Sequence, residues 1–114
     1  MRRGEIWTAA GGKDYAGKQR PVVILQDDRF AATASVTICM FTTNRTEAEF
    51  FRVTIDPTPD NGLREVSRAM ADKVSTLPRS KIGYRIGRLS DHDMHRLDVA
   101  LMTFLGLQRR ESRQ

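Results

Sequence analysis

The feature that most constrains this chain is a single change of hydrophobic period near residue 90. Before it, apolar residues come in short β-branched runs cut by glycine, proline and polar clusters. After it, Met94, Leu97, Leu101 and Phe104 recur at spacings of three and four, with Val99 and Leu105 flanking the stripe. Runs of four to eight β-branched and aromatic residues make strands, whereas a three-four spacing makes one apolar helical face. Ser90, with Asp93 three residues on, starts that helix in the manner of a capping box, and Gly106 ends it, giving a helix over Asp91–Leu105. The fold class that follows is mainly β with a C-terminal helix. It is a small, strongly twisted antiparallel sheet or half-open, SH3-like barrel, with the helix packed on one face.

The strands read from the sequence are Glu5 to Ala9, Pro21 to Leu25, Ser35 to Thr42, Glu49 to Asp56, Glu65 to Met70, Asp72 to Leu77 and Tyr84 to Leu89. Pro57 to Gly62 supplies a turn, and Ala10 to Gln19 a glycine-bearing loop. No repeat or linker divides the chain. Residues 1–107 are expected to form one domain and residues 108–114 a charged tail, whose Arg109, Arg110 and Arg113 are most simply solvated.

Composition narrows the function classes. No apolar run approaches the ~18 residues that a membrane span requires, and no long apolar stretch follows the basic start of the chain, so neither a membrane helix nor a signal peptide is expected. The one cysteine, Cys39, cannot form an internal disulfide and fits a reducing cytoplasm. Nineteen Lys and Arg against fourteen acidic residues give a formal charge of +5, which favours encounter with polyanions without specifying one.

Several motifs invite a function and lose it on inspection. Gly12-x-x-x-x-Gly17-Lys18-Gln19 matches a phosphate-binding loop except at its last position. There a hydroxyl should bind magnesium, and the motif runs into the strand after Arg20-Pro21 where a helix should start. His92 and His95 could share a helix face, but two ligands do not make a zinc site. Cys39, within Ile38-Cys39-Met40-Phe41, has no neighbouring cation to activate it and reads as core. Trp7 also reads as core, while Tyr15 in the loop is the better candidate for stacking on a base.

A more specific constellation is Arg20-Pro21 at the start of one strand and Thr42-Thr43-Asn44 at the end of another. Strand ends from distant parts of an antiparallel sheet meet on one rim. There Arg20 could offer its planar fork to a phosphate with the Thr42 hydroxyl beside it.

These residues also carry a family resemblance. Arg3-Gly4-Glu5-Ile6-Trp7, Arg20-Pro21-Val22-Val23-Ile24, Phe41-Thr42-Thr43-Asn44, Ala71-Asp72-Lys73-Val74-Ser75-Thr76-Leu77 and Gly87-Arg88-Leu89 stand in the order found in the MazF/PemK/Kid toxins, and Leu105-Gly106-Leu107 closes the set. The resemblance spans Arg3 to about Leu107. It implies a homodimer with the plasmid-maintenance toxin fold shared by CcdB, MazF and Kid. The implied activity is metal-independent, sequence-specific cleavage of single-stranded RNA, with no cofactor. By that resemblance Arg20 and Thr42 are the catalytic residues and Asp72 holds the family's acidic position, with Lys73 where glutamine is usual. Lys18, Gln19, Asn44, Lys73 and Tyr15 are the expected RNA contacts, together with Thr43 and Asp72. The implied partner is an antitoxin whose acidic, disordered segment lies across the RNA groove. Two alternatives stay open here. A gyrase poison of the CcdB type would carry Trp-Gly-Ile at the end of its helix, which this chain lacks, and a non-catalytic nucleic-acid-binding module would need only the charge.

Overall fold

The computed structural model describes residues 1–10, 18–44 and 51–107. Tyr15, the Gly12-to-Gly17 part of the loop, Glu49 and Phe50, and the tail arginines lie outside the described residues.

Six strands form one antiparallel sheet: β1 (Glu5–Ala9), β2 (Arg20–Ile24), β3 (Ser35–Thr42), β4 (Arg52–Ile55), β5 (Ser67–Pro78) and β6 (Ile82–Arg88), in the spatial order β4-β5-β3-β2-β1-β6. The helix α1 (Asp91–Leu105) closes the described chain and has the limits its periodicity predicts. The Ser90 hydroxyl accepts the Asp93 N–H at 3.0 Å, and Gly106 takes the left-handed conformation (φ 71°) that lets the Leu107 N–H reach the Met102 carbonyl at 2.8 Å.

The expectation of separate strands over Glu65–Met70 and Asp72–Leu77 is corrected: β5 is one twelve-residue strand. The break in pattern at Ala71-Asp72-Lys73 is a bulge. Cys39 pairs with Val74 and Phe41 with Ala69, so four residues of β5 face the single Met40 of β3. Short β-strand tracts on either side of a bulge look like two strands in sequence because the two-residue alternation slips there.

The two faces of the sheet bury different residues. Val23, Cys39, Val53, Ile55, Ala69 and Ala71 pack with Leu97, Ala100 and Leu101 of α1. Ala9, Val22, Ile24, Val36 and Ile38 form a second cluster on the opposite face, bordered by Trp7, Met40 and Leu77. Trp7 is thus half-buried beside this second cluster, and its Nε1 donates to Glu5 Oε1 at 3.0 Å. Phe104, read as part of the helix's inward stripe, is 47% exposed and instead sets its ring 5.1 Å from that of Phe51. Cys39 is fully buried, as its context predicts, and burial pushes its thiol up to about 12.

Residues 60–62 press against the backbone of β6. A Cβ on Gly87 would run into the Asp60 carbonyl and the Asn61 backbone, and one on Gly62 (φ 70°) into the Ile86 carbonyl. Asn61, 2% exposed, holds the turn: its side-chain carbonyl accepts from the Thr58 and Leu63 N–H groups, and its amide donates to the Asp56 carbonyl at 2.9 Å. Gly87→Ala should therefore destabilise the fold by about 2 kcal/mol, in the range of overpacked cores, measured as a lowered denaturant midpoint at unchanged slope.

Candidate active site

The site is built by strand register. Val22 pairs with Met40, Val23 with Cys39 and Ile24 with Ile38. Continued by two residues, that register faces Arg20 with Thr42. On the other side of β2, Arg20 pairs with Ala9 of β1. On the other side of β3, Thr42 pairs with Arg68 of β5, and Arg68 in turn pairs with Thr54 of β4. Residues opposite one another in an antiparallel sheet project from the same face. Ala9, Arg20, Thr42, Arg68 and Thr54 therefore make one row across five strands, on the face of Val22 and Ile38 and away from that of α1.

Local chemistry explains why each residue holds its place. Pro21 has no N–H to give, so the ladder loses a bond beside Arg20 at the end of β2. Arg20 is exposed, and its side chain makes no hydrogen bond or ion pair with any described residue. Thr42 is half-buried, and its hydroxyl accepts the Asn44 N–H at 3.1 Å as β3 ends. That hydroxyl keeps its own proton for donation. Lys18, Gln19, Thr43 and Asn44 are all exposed around the same strand ends.

Asp72 and Lys73 sit in the β5 bulge, one strand over from Met40. Asp72 is not free to meet a ligand unaided. Arg52 Nε and Nη2 bind its two oxygens at 3.1 and 2.9 Å, with side-chain exposures of 19% and 17% for the pair. The Arg52 hydrogen bonds hold the Asp72 carboxyl below the usual carboxylate range, against a desolvation that works the other way. Lys73 is exposed beside it.

The structure thus sets Arg20 and Thr42 on neighbouring strand ends, with Lys18, Thr43 and Asn44 exposed beside them, and places Asp72 and Lys73 in the bulge; the Gln19 side chain lies instead against Gly83 of β6, and Tyr15 lies outside the described residues. Sequence reasoning missed two arginines. Arg52, the partner of Asp72, lies twenty residues away in the chain and is linked to it only by pairing of β4 with β5. Arg68 stands directly beside Thr42, and only the register across the bulge reveals it. His92 and His95 are exposed on α1. Among the described residues no group of three or more His, Cys, Asp or Glu is placed to hold a metal ion, and no helix is long and apolar enough to cross a membrane.

What such a row can do is hold a phosphodiester. By this register an arginine with its donors uncommitted is carried on the strand at one side of Thr42, and a second arginine on the strand at its other side. Adjacent strands lie ~4.8 Å apart, so the backbones that carry the two arginines flank that of the threonine at about 10 Å from each other.

Comparison with known proteins gives the same direction. Residues 2–105 match the family described as PemK-like, MazF-like toxin of type II toxin-antitoxin system. The chain is 57% identical over 107 residues to a protein of Mycolicibacterium smegmatis named "Probable endoribonuclease MazF", covering 94% of this chain and 98% of that one. It is 33% identical over 117 residues to "Endoribonuclease MazF9" of Mycobacterium tuberculosis, again covering 94% and 98%. A solved structure titled "Endoribonuclease in complex with its cognate antitoxin from Mycobacterial species" superposes with a TM-score of 0.81 at 25% identity, over 96% of this chain and 99% of that one.

The Arg52–Asp72 pair yields a pH-dependent expectation. The folded carboxyl titrates below its ordinary value of 3.8, so its contribution is complete above that pH and is lost as pH falls through the depressed value. Asp72→Asn should cost about 1.5–3 kcal/mol near neutrality, the range for hydrogen bonds to a charged group. The stabilities of the two proteins should converge as the solution is acidified below pH 3.8, as followed by denaturant titrations across pH.

Proposed function

The chain belongs to the PemK-like, MazF-like toxin family of type II toxin-antitoxin systems, and from that premise we propose that it is the endoribonuclease of such a pair, cutting single-stranded RNA with Arg20 and Thr42. The observation that carries this is the register of β2 on β3, which, continued two residues past the Val22–Met40 pair, sets an uncommitted guanidinium and a threonine hydroxyl at one end of the two strands.

RNA brings its own nucleophile to the reaction. The 2′-oxygen attacks the neighbouring phosphorus and sheds its proton, while the bond from phosphorus to the 5′-oxygen breaks and that oxygen takes up a proton. The products are a 2′,3′-cyclic phosphate, or the 3′-phosphate after hydrolysis, and a 5′-hydroxyl. The protein must align the three atoms and stabilise the charge that builds on the non-bridging oxygens. Arg20 offers two parallel N–H donors to those oxygens. A guanidinium holds its proton too tightly to be an easy acid, so its main part is charge stabilisation. Thr42, with its lone pair engaged by the Asn44 N–H, positions the 2′-hydroxyl or a phosphate oxygen through its own O–H. Lys18, Gln19, Thr43, Asn44 and Lys73 are exposed where a strand of RNA entering this row would pass, and Tyr15 would add a stacking face. Asp72 acts with Arg52 as a fixed pair at the edge of that path. Unpaired bases are the substrate, because an A-form duplex hides their reading edges.

The protein works as a homodimer and is silenced by a cognate antitoxin, whose acidic, disordered segment competes with RNA for the cations at this end of the sheet. The structural neighbour in complex with its cognate antitoxin supports that partnership. A reducing cytoplasm, where RNA is made and read, is the setting that the single buried thiol suits.

Purified protein incubated with a mixed RNA pool in excess EDTA should generate new 5′-hydroxyl ends. Arg20→Ala should lower kcat/KM by roughly 100-fold or more, the cost of losing a principal oxyanion donor, with an unchanged thermal midpoint. Near-normal cleavage by Arg20→Ala would refute its assignment.

A further inference from the structure

Beside the Arg20–Thr42 row lies a cleft of about 240 Å³, lined by Thr43, Thr54, Val66 and Arg68. Arg68 pairs with Thr42 on one side and Thr54 on the other, so its side chain rises between two threonine-bearing strands. Its side chain makes no hydrogen bond or ion pair with any described residue, although that of Arg52, on the adjacent strand, is held at Nε and Nη2 by Asp72. The guanidinium therefore has no visible task within the fold.

We propose that this cleft is a base-reading subsite, in which Arg68 recognises one nucleobase next to the bond being cut. The inference rests on the RNA-cleaving role assigned to Arg20 and Thr42. A site for a bare phosphate needs only donors, whereas this one is also walled by Val66 and by the small side chains of Thr43 and Thr54. At about 240 Å³ it falls just below the ~300–1,000 Å³ of pockets for drug-sized ligands, a size suited to one planar ring system. The paired donors of an arginine match a base edge with two adjacent acceptors. Guanine offers O6 and N7, and unpaired cytosine offers O2 and N3. Adenine and uracil place a donor next to each acceptor and leave half of the fork unmatched. Arg68 thus selects guanine or cytosine at one position close to the cut, and the two threonine hydroxyls can address whatever exocyclic group remains.

Digestion of a randomised RNA pool, with every new 5′-hydroxyl end sequenced, tests this. The unaltered protein should show one position, within two nucleotides of the cut, where guanine or cytosine is favoured over adenine and uracil by about 10-fold or more, as a bidentate contact supplies. Arg68→Ala should flatten that position alone and keep the preferences elsewhere. Arg68→Lys, which retains the charge and loses the fork, should flatten it too. Uniform slowing on all sequences with preferences intact would make Arg68 a phosphate contact and overturn the proposal, as would no change at all. Both variants should keep the parent's thermal midpoint, since the Arg68 side chain bonds to nothing described. If the unaltered protein produced no ends, the nuclease assignment would fall separately. The cleft would then be scored by fluorescence anisotropy with labelled oligocytidine, oligoadenosine and oligouridine. Tighter binding of oligocytidine, abolished in Arg68→Ala, would uphold it, and equal binding of all three would sink it.

Discussion

The pairing of β2 with β3 is the constraint on which the rest depends. Val23 and Cys39 must enter one core while Val22, Ile24 and Ile38 enter the other. A slip of one residue would turn each of these side chains to the wrong face, so burial on both sides fixes the register far more strongly than hydrogen bonding alone. Arg20 and Thr42 lie two residues beyond this locked stretch. Their apposition is a by-product of where the apolar residues must go, and it costs the polar end of the sheet no additional ordering. The helix keeps to the other face, clamped by its Ser90 cap and by Arg96, which donates to the Thr54 carbonyl at 2.9 Å.

A second constraint is the bulge in β5. By setting four residues against one, it carries Asp72 out of the ladder and into reach of Arg52, and it restores the alternation so that Arg68 returns beside Thr42. Without it, Asp72 would stand in the ladder opposite a residue of β3. The bulge also divides labour between two arginines. One is spent on a carboxylate inside the protein and the other is left with open donors, and electrostatics alone would not have told them apart.

The sequence disclosed what depends on neighbours in the chain. The helix limits at Asp91 and Leu105 follow from a side-chain cap, a glycine stop and the spacing between them, all local. The limits of β1 and β3 were legible for the same reason. Arg20 and Thr42 were legible as strand ends, and their family blocks drew attention to them. β5 was misread because a bulge mimics a boundary when only alternation is visible. Arg52 and Arg68 were invisible because their partners are set by cross-strand register, which no local pattern in their own segments encodes. Spacing alone points Phe104 at the core, whereas its ring lies half in solvent against that of Phe51.

The row from Arg20 to Thr54 projects from the side of the strands that α1 does not cover. That face holds its own buried cluster further along the same strands, and Arg20 and Thr42 continue the parity of Val22, Ile24 and Ile38. Scaffold and chemistry are therefore divided by position along a strand and not by side of the sheet: the middle of β2 and of β3 is closed to polar substitution on both faces, and only the tip is open. A tip residue can accordingly be exchanged with little disturbance of the middle, which leaves the polar end of this sheet as the part of the molecule most free to vary.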